Sequence, residues 1–485
     1  MAHVWIVAPR AGVAARGLRC DRRRVADDTR RVYRAVDLAL RVGEVVLSSG
    51  AGAADVNAAV LSVTRACGLR AVHVDVNFTT LTVSYQSEAE EPPQTYLRTV
   101  TYRGLDYGLL TDVDRLVHAL VHGEIDPETA SRRLNELRSA ARPFPRWVVS
   151  LSTGLMAAGV GLLLQGRPLV VAIAFATAIG IDQVVRQLAC RRIPAFYQQV
   201  AGALVASIVA HGAYLLDDDV RPSVIVASGI IVLLAGITLV GAVQDALTGY
   251  YVTAAARTFE AMLLTGGIIA GVSLGITIGV RLGFDLPLTA RSTAAIDDLP
   301  LALLGGTLVS ISFALRCYAP LRSLAAVAAV GLTAQLTYLL LAAAGTGVAW
   351  SSAIAAVVVG VMSYSLAGRV RVPPLVVVVS GIVGLLPGLT IYRGLFQLLT
   401  ERDVGGLVPL MSALAVGVGL ASGVLLGEYV AQPLKREARR LENRLAGPRL
   451  VGPLHMPSRR ARHARRRRRA AAREERQRPA DTQPG

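Results

Sequence analysis

Charge is scarce in this chain. Only 18% of its 485 residues are Asp, Glu, Lys or Arg, whereas soluble globular proteins carry about 25%, so lipid enters as a solvent for much of the sequence. Cysteine is scarcer still: Cys20, Cys67, Cys190 and Cys317 stand alone, with no CxxC or CxH spacing. That leaves no disulfide framework and no zinc site to propose, and no metal or other cofactor is expected. A cleavable secretory signal is missing too. The apolar MAHVWIVAP precedes Arg10, Arg16, Arg19, Arg22, Arg23 and Arg24, the reverse of the order such a signal needs, so residues 1–27 read as a loose tail.

Acidic residues are outnumbered, 34 against 51 Lys and Arg, but the excess is local. From Lys435 to Gly485 there are 17 basic and 5 acidic residues, which is +12 of the net +17. The basic balance is therefore no argument for nucleic-acid binding by the body of the protein. The tail 435–485 reads as disordered and drawn to anionic lipid at the inner leaflet, and no aromatic residues are interleaved with it to stack bases.

Apolar runs, by contrast, are plentiful. Ten stretches of roughly the 17–25 residues that cross a ~30 Å hydrocarbon core fall at 147–164, 168–185, 195–216, 222–243, 259–281, 299–317, 323–345, 348–367, 373–395 and 405–431. Ahead of them, residues 28–142 read as a soluble α/β domain. Apolar residues at helical spacing run through VYRAVDLALRVGEVVL, and a second helix spans Ala53 to about Cys67. Alternation at Val72, Val74, Val76 and again at Leu81, Val83, Tyr85 predicts two strands joined by a short turn, with a third from Tyr96 to Tyr102. Two helices follow, from about Asp112 to Val121 and from Pro127, with Asp126 as N-cap, to about Ala141. Basic residues near span ends number eighteen on the side of this domain and six on the other, which predicts both termini in the cytoplasm.

The sequence also matches itself. VASGIIVLLAGIT at 226–238 aligns without a gap to VVSGIVGLLPGLT at 378–390, with eight of thirteen positions identical, including a Ser-Gly pair and a terminal Gly-x-Thr. The matched segments are the fourth and ninth spans, so the repeat unit is five spans; five being odd, the second unit enters the membrane from the opposite face. The expected fold is thus an α-helical polytopic membrane protein of ten transmembrane helices in a 5+5 inverted repeat, with modules at 143–295 and 296–434. Inverted repeats are how many secondary transporters alternate access, so a multi-pass transporter is the expected function class.

These features, in this order, resemble the threonine/serine exporter (ThrE) family over nearly all of residues 28–431. The likeness is carried by LSSGAGAADVN (Leu47 to Asn57), VNFTTLTVSY (Val76 to Tyr85) and GEIDPETASRRLNEL (Gly123 to Leu137). Most specific are VQDALTGYYVTAAARTFEA (Val243 to Ala261) and GLLPGLTIYRG (Gly384 to Gly394). The resemblance implies a bacterial cell-membrane protein that exports threonine, serine or related small amino acids, coupled to the proton gradient. One departure matters: many members carry Arg-Val-Glu where this chain has Asp55-Val56-Asn57, so no role of that arginine or glutamate transfers here.

Ionisable groups inside spans cost of order 3 kcal/mol at the bilayer centre and are functional suspects by default. Asp245, Arg257 and Glu260 flank the turn between spans four and five, where an arginine and carboxylates could hold a zwitterion's two charges; the plainer reading is that Asp245 and Arg257 simply pair. Thr390 and Arg393 follow Pro387-Gly388, which can break a helix and expose main-chain groups to substrate, or merely kink it. For proton coupling the candidates are Asp182, His211 and Glu428. Asp182 is equally placed for a local i,i+4 pair with Arg186, and His211 for a neutral hydrogen bond between helices.

Two motif matches are declined. Gly271-Val-Ser273-Leu-Gly275 fits the hydrolase GxSxG string but lies within a helix, where small residues at a helix contact explain it better. Asp114, His118 and His122 share a helical face that reads as solvated rather than metal-binding. The alternatives kept open are export of another small metabolite, such as a dicarboxylate or dipeptide, and a membrane-bound enzyme with a catalytic soluble domain. A homo-oligomer is also left open.

Overall fold

The computed structural model describes residues 11–87, 92–100, 104–216, 220–234, 236–281, 299–397 and 403–445, without the side chains of 11–29, 216, 389, 395, 396 and 432–445. The Asp217 to Asp219 run and the arginine-rich stretch beyond residue 445 lie outside the described residues.

Four helices and a three-stranded sheet form the N-terminal region. The first helix, α1 (Ala11–Ser48), already begins within the stretch read as a tail. It ends where Gly50 takes φ +89°, a left-handed conformation in which a side chain would be strained. Helix α2 (Ala53–Ala66) follows at once, and strands β1 (Val72–Asn77), β2 (Thr80–Tyr85) and β3 (Gln94–Thr99) form an antiparallel meander in the order β1-β2-β3. Val76 pairs with Leu81, and Val83 with Val74 and Tyr96, so one face of the meander carries the apolar side chains against α1. The third strand starts and ends two to three residues before the expected Tyr96–Tyr102. Helix α3 (Tyr107–Val121) likewise starts earlier than expected, because Asp106 caps it by accepting from the Leu109 amide. In α4 (Pro127–Ser139) the Asp126 side chain accepts from Thr129 N, as the motif predicts.

The core of this region does not close on itself. Tyr107, fully buried, stacks edge-on to Phe313 of the membrane part, and its amide donates to the Cys317 carbonyl at 2.8 Å. Arg142 lies over the Tyr318 ring and donates to its hydroxyl at 3.0 Å. Residues up to Ala431 form one compact unit.

The remaining chain is helical: α5 (Arg146–Leu163), α6 (Pro168–Cys190), α7 (Ala195–Leu216), α8 (Pro222–Ile230), α9 (Gly236–Leu247), α10 (Tyr251–Arg281), α11 (Leu299–Arg316), α12 (Leu324–Ala343), α13 (Val348–Val370), α14 (Pro374–Ile382), α15 (Gly388–Phe396) and α16 (Leu407–Leu445). Among the described residues seven helical segments are long and apolar enough to cross a membrane: those of α5, α6, α10, α11, α12, α13 and the apolar part of α16. The stretches 222–243 and 373–395 are not continuous helices; each is interrupted near its middle.

Glycines set the helix contacts. A methyl on Gly271 would run into the Val200 carbonyl oxygen, and one on Gly275 into Ser207, so α10 lies directly on α7. On α16, Gly419, Gly423 and Gly427 meet the carbonyls of Ala349, Ala353 and Val357 in the same manner on α13. Close approach of this kind supplies van der Waals contact where lipid offers no hydrophobic gain. Gly271→Ala is therefore expected to lower stability by about 1–3 kcal/mol, measured as a reduced thermal midpoint of the detergent-solubilised protein. The same change at Gly266, which has open space around it, serves as the neutral comparison.

Candidate functional site

The two copies of the internal repeat break at the same place. In the first, α8 ends at Ile230 and α9 begins at Gly236; in the second, α14 ends at the matched Ile382, a 3-10 turn covers Val383–Leu385, and α15 begins at Gly388 behind Pro387. Only the second copy has a proline at the break, so proline alone does not cause it. Ser228 and Ser380, also matched, are both fully buried with hydroxyls that lack a partner among the described residues.

The breaks touch each other reciprocally. A methyl on Gly236 would sit 3.1 Å from Leu386 Cβ, and one on Gly388 would sit 3.0 Å from Leu234 Cβ. In the repeat alignment Gly236 matches Gly388 and Leu234 matches Leu386, so each copy presents the same pair of residues to the other. That is the contact pattern a two-fold axis produces.

A cavity of about 260 Å³ opens beside this crossing. Leu234, Gly236, Leu386 and Gly388 line it, with α5, α11 and α12 forming the other walls. The lining is mostly apolar. Its polar exceptions are Gln165, Arg316, Gln335 and Tyr338. By helix rise, the wall from Ala302 to Arg316 on α11 is about 21 Å long, so the cavity runs across much of the helical layer. Pro387, Thr390 and Arg393 are not in its wall; Thr390 and Arg393 are half-buried on α15, below the break.

A second polar centre lies under the N-terminal region. Asp245, 0% exposed, and Arg257, 7% exposed, form an ion pair at 2.9 Å. The other Asp245 oxygen accepts from the Ala53 amide at 2.8 Å, the first residue of α2, and Arg257 Nη2 donates to the Ala51 carbonyl at 3.0 Å. Around this pair Asn57 Nδ2 donates to the Tyr250 hydroxyl at 2.7 Å, and the Phe78 amide donates to Thr253 Oγ1 at 3.0 Å. Asp245 and Arg257 do pair, but beneath protein rather than at a wet surface, and each also bonds the main chain at the start of α2. Glu260 is half-buried one turn along α10.

Asp55 joins this centre from the first turn of α2. Its side chain keeps an exposed edge, but the protein crowded around it and the neighbouring Asp245 carboxylate raise its pKa above 3.8, while a hydrogen bond from the Gly52 amide works against them. An acid whose folded pKa is raised holds its proton more tightly folded than unfolded, so stability falls as pH rises from 3.8 through the raised value and is level above it. Asp55→Asn should therefore raise the thermal midpoint at pH 7 and raise it less at pH 4. Equal gains at the two pH values would contradict the assignment.

The other candidates are scattered. Asp182 does not pair with Arg186: it accepts from Ser150 Oγ of α5 at 2.7 Å, and Arg186 instead donates to Gln183. A helix–helix hydrogen bond in the layer thus displaces the local ion pair. His211 is buried, with Nδ1 bonded to the Ser207 carbonyl at 2.7 Å and Nε2 pressed against Gly279 of α10, without a hydrogen-bond partner among the described residues. Because a carbonyl only accepts, Nδ1 carries the proton. Glu428 lies half-buried on α16, its main-chain amide against Gly360 of α13, and is near enough to Asp55 for their charges to repel. His118 and His122 stack on each other at 5.8 Å, with His122 Nδ1 on the His118 carbonyl. Sequence reasoning that weighed only ionisable groups missed Gln335 and Tyr338. The signal was there, a lone glutamine within an apolar span.

Comparison with known proteins identifies the family. A family model described as "Putative threonine/serine exporter" matches residues 37–279, and a second, "Threonine/Serine exporter, ThrE", matches residues 303–430. The chain is 38% identical over 422 residues to a "Probable threonine/serine exporter" of Mycobacterium tuberculosis, covering 85% of this chain and 80% of that protein. It is 37% identical over 420 residues to the threonine/serine exporter of Corynebacterium glutamicum, covering 85% of each. It is also 25% identical over 239 residues to the "Probable succinate transporter subunit YjjP" of Escherichia coli, which is 48% of this chain but 91% of that subunit. No solved structure matches. On the two family models and the identity over most of its length, the chain belongs to the threonine/serine exporter family, whose members are multi-pass membrane transporters and not enzymes.

Proposed function

We propose that this protein exports threonine, serine or closely related small amino acids by alternating access, through two five-helix modules, 143–295 and 296–434, inserted in opposite orientations. Ten passages with both termini in the cytoplasm complete the reading, in keeping with the excess of basic residues on that side. The observation that carries it is the reciprocal contact of the two helix breaks, Gly236 on Leu386 and Gly388 on Leu234, beside a cavity. Broken helices near the bilayer middle, related by pseudo-symmetry, are where secondary transporters hold substrate. The YjjP relative, itself named a subunit, spans about half of this chain, which supports two modules as units.

The chemistry suits a zwitterion. The first turns of α9 and α15 leave amides that no helical carbonyl takes, and helix N-termini favour a carboxylate. Of the second module's segment Gly388 lines this site, with Pro387 behind it and Thr390 and Arg393 following along α15 outside the wall; Asp245 and Arg257 close its cytoplasmic approach by holding the start of α2 in place, with Glu260 one turn along α10. A proton supplies the driving force, with Glu428, His211 and Asp182 as the groups on the membrane helices able to carry it. Labelled threonine trapped in proteoliposomes containing the full chain should leave faster when the outside is acidified, and unlabelled serine should compete. Release that is indifferent to pH would remove the proton from the scheme.

A second reading is export of a dicarboxylate, favoured by the likeness to YjjP and by Arg316 at one end of the cavity. Labelled succinate in the same vesicles separates the two.

A further inference from the structure

Gln335 sits at the middle of α12, 6% exposed. Its stem packs against Gly306 of α11, where an added methyl would lie 2.9 Å from Gln335 Cγ, and its Oε1 lies 3.9 Å from where a side chain on Gly384 would start. The amide thus reaches the 3-10 turn of the second helix break, on the wall of the cavity. Among the described residues it has no hydrogen-bond partner. One turn further along the same face, Tyr338 lines the same cavity, and its hydroxyl is also without one among the described residues. Arg316, by contrast, lies ten residues along α11 from Gly306, about 15 Å away by helix rise, too far to share a small ligand with the amide.

A buried amide and a half-buried phenol, side by side, without a hydrogen-bond partner among the described residues and facing a mostly apolar cavity, are open to bonding by what enters it. A primary amide offers donors and an acceptor at one end of a planar group. A hydroxyl can receive one and supply the other, while a methyl group of the same size can do neither. Helix N-termini at the break take the carboxylate, so the amide and phenol are left to read the substrate's side chain.

We infer that Gln335, assisted by Tyr338, is the specificity determinant that selects a hydroxyl-bearing side chain over an apolar one of the same shape. This rests on the reading of the cavity as the amino-acid site. Threonine and valine are the discriminating pair, because they differ only by hydroxyl for methyl. When the cavity closes over valine, the amide and phenol remain dry and unpaired, which is why sites built to bond a hydroxyl reject its isostere strongly.

The test uses full-length protein in proteoliposomes, with counterflow of labelled threonine and labelled valine. Wild type is expected to favour threonine by about tenfold or more. Gln335→Leu and Tyr338→Phe are each expected to slow threonine while leaving valine where it was, so that the preference falls to within about threefold. Threonine preference unchanged in both variants overturns the inference. Should Gln335→Leu fail to reach the vesicles as folded protein, Tyr338→Phe, which removes a single oxygen, decides in its place. Wild type that moves succinate but neither threonine nor serine would instead overturn the amino-acid reading itself, and the two failures are distinct.

Discussion

Arg257→Leu is expected to destabilise the protein by about 3–5 kcal/mol, the cost of leaving one partner of a buried pair without the other. The reason is the complete burial of Asp245 and the 7% exposure of Arg257: no water can replace the guanidinium. Two contacts fail together, since the Ala51 carbonyl loses its donor and the Asp245 carboxylate loses its countercharge. The N-terminal region should then detach from the α9–α10 corner. Thermal unfolding in detergent would show the loss, and limited proteolysis would show early cutting near Gly50. Adding Asp245→Asn to the same protein removes the orphaned charge and should recover a large part of the midpoint. If the pair only anchors α2, threonine efflux returns with the midpoint; if Arg257 touches substrate, stability returns and efflux does not.

Gly388→Leu should abolish transport, with at least a tenfold fall in threonine efflux, while the protein still assembles. A methyl at this position already meets Leu234 at 3.0 Å, and a full leucine must either push the first break aside or fill the cavity whose wall Gly388 forms. Overpacking of this kind costs about 1–3 kcal/mol, which lowers the midpoint without unfolding the protein, but the crossing can no longer rearrange. Gly236→Leu should behave alike, because it makes the mirror contact with Leu386. Gly180→Leu on α6, where nothing lies within 4 Å, should keep near-normal efflux. Similar loss at all three positions would mean that bulk in any membrane helix is harmful, and the crossing would have no special role.

Much of the architecture was legible because it rests on periodicity and caps. Asp126-Pro127 starts a helix, alternating valines make strands, and the eight-of-thirteen self-match led directly to the paired breaks. Other features were less so. The interruption after Ile230 carries no proline, and the close approach of Gly236 to Leu386 that accompanies it is set by the tertiary structure. Asp182 lies four residues before Arg186 but turns to Ser150, because a helix interface inside the layer offers a nearer partner than a charged neighbour on its own helix. Asp55 was noted only as a departure from the family pattern; its proximity to Asp245 spans nearly two hundred residues of sequence.

The sequence by itself determined the solvent, the place of the apolar stretches, the self-match and the family, since these follow from composition, hydrophobic period and identity along one dimension. Tertiary structure alone decided which polar groups share a cavity, which charges are neutralised by the main chain, and that the two breaks meet. Those depend on contacts between residues distant in the chain, where a glycine's missing methyl or a single buried amide governs the outcome, and no local pattern records which neighbour will be within reach.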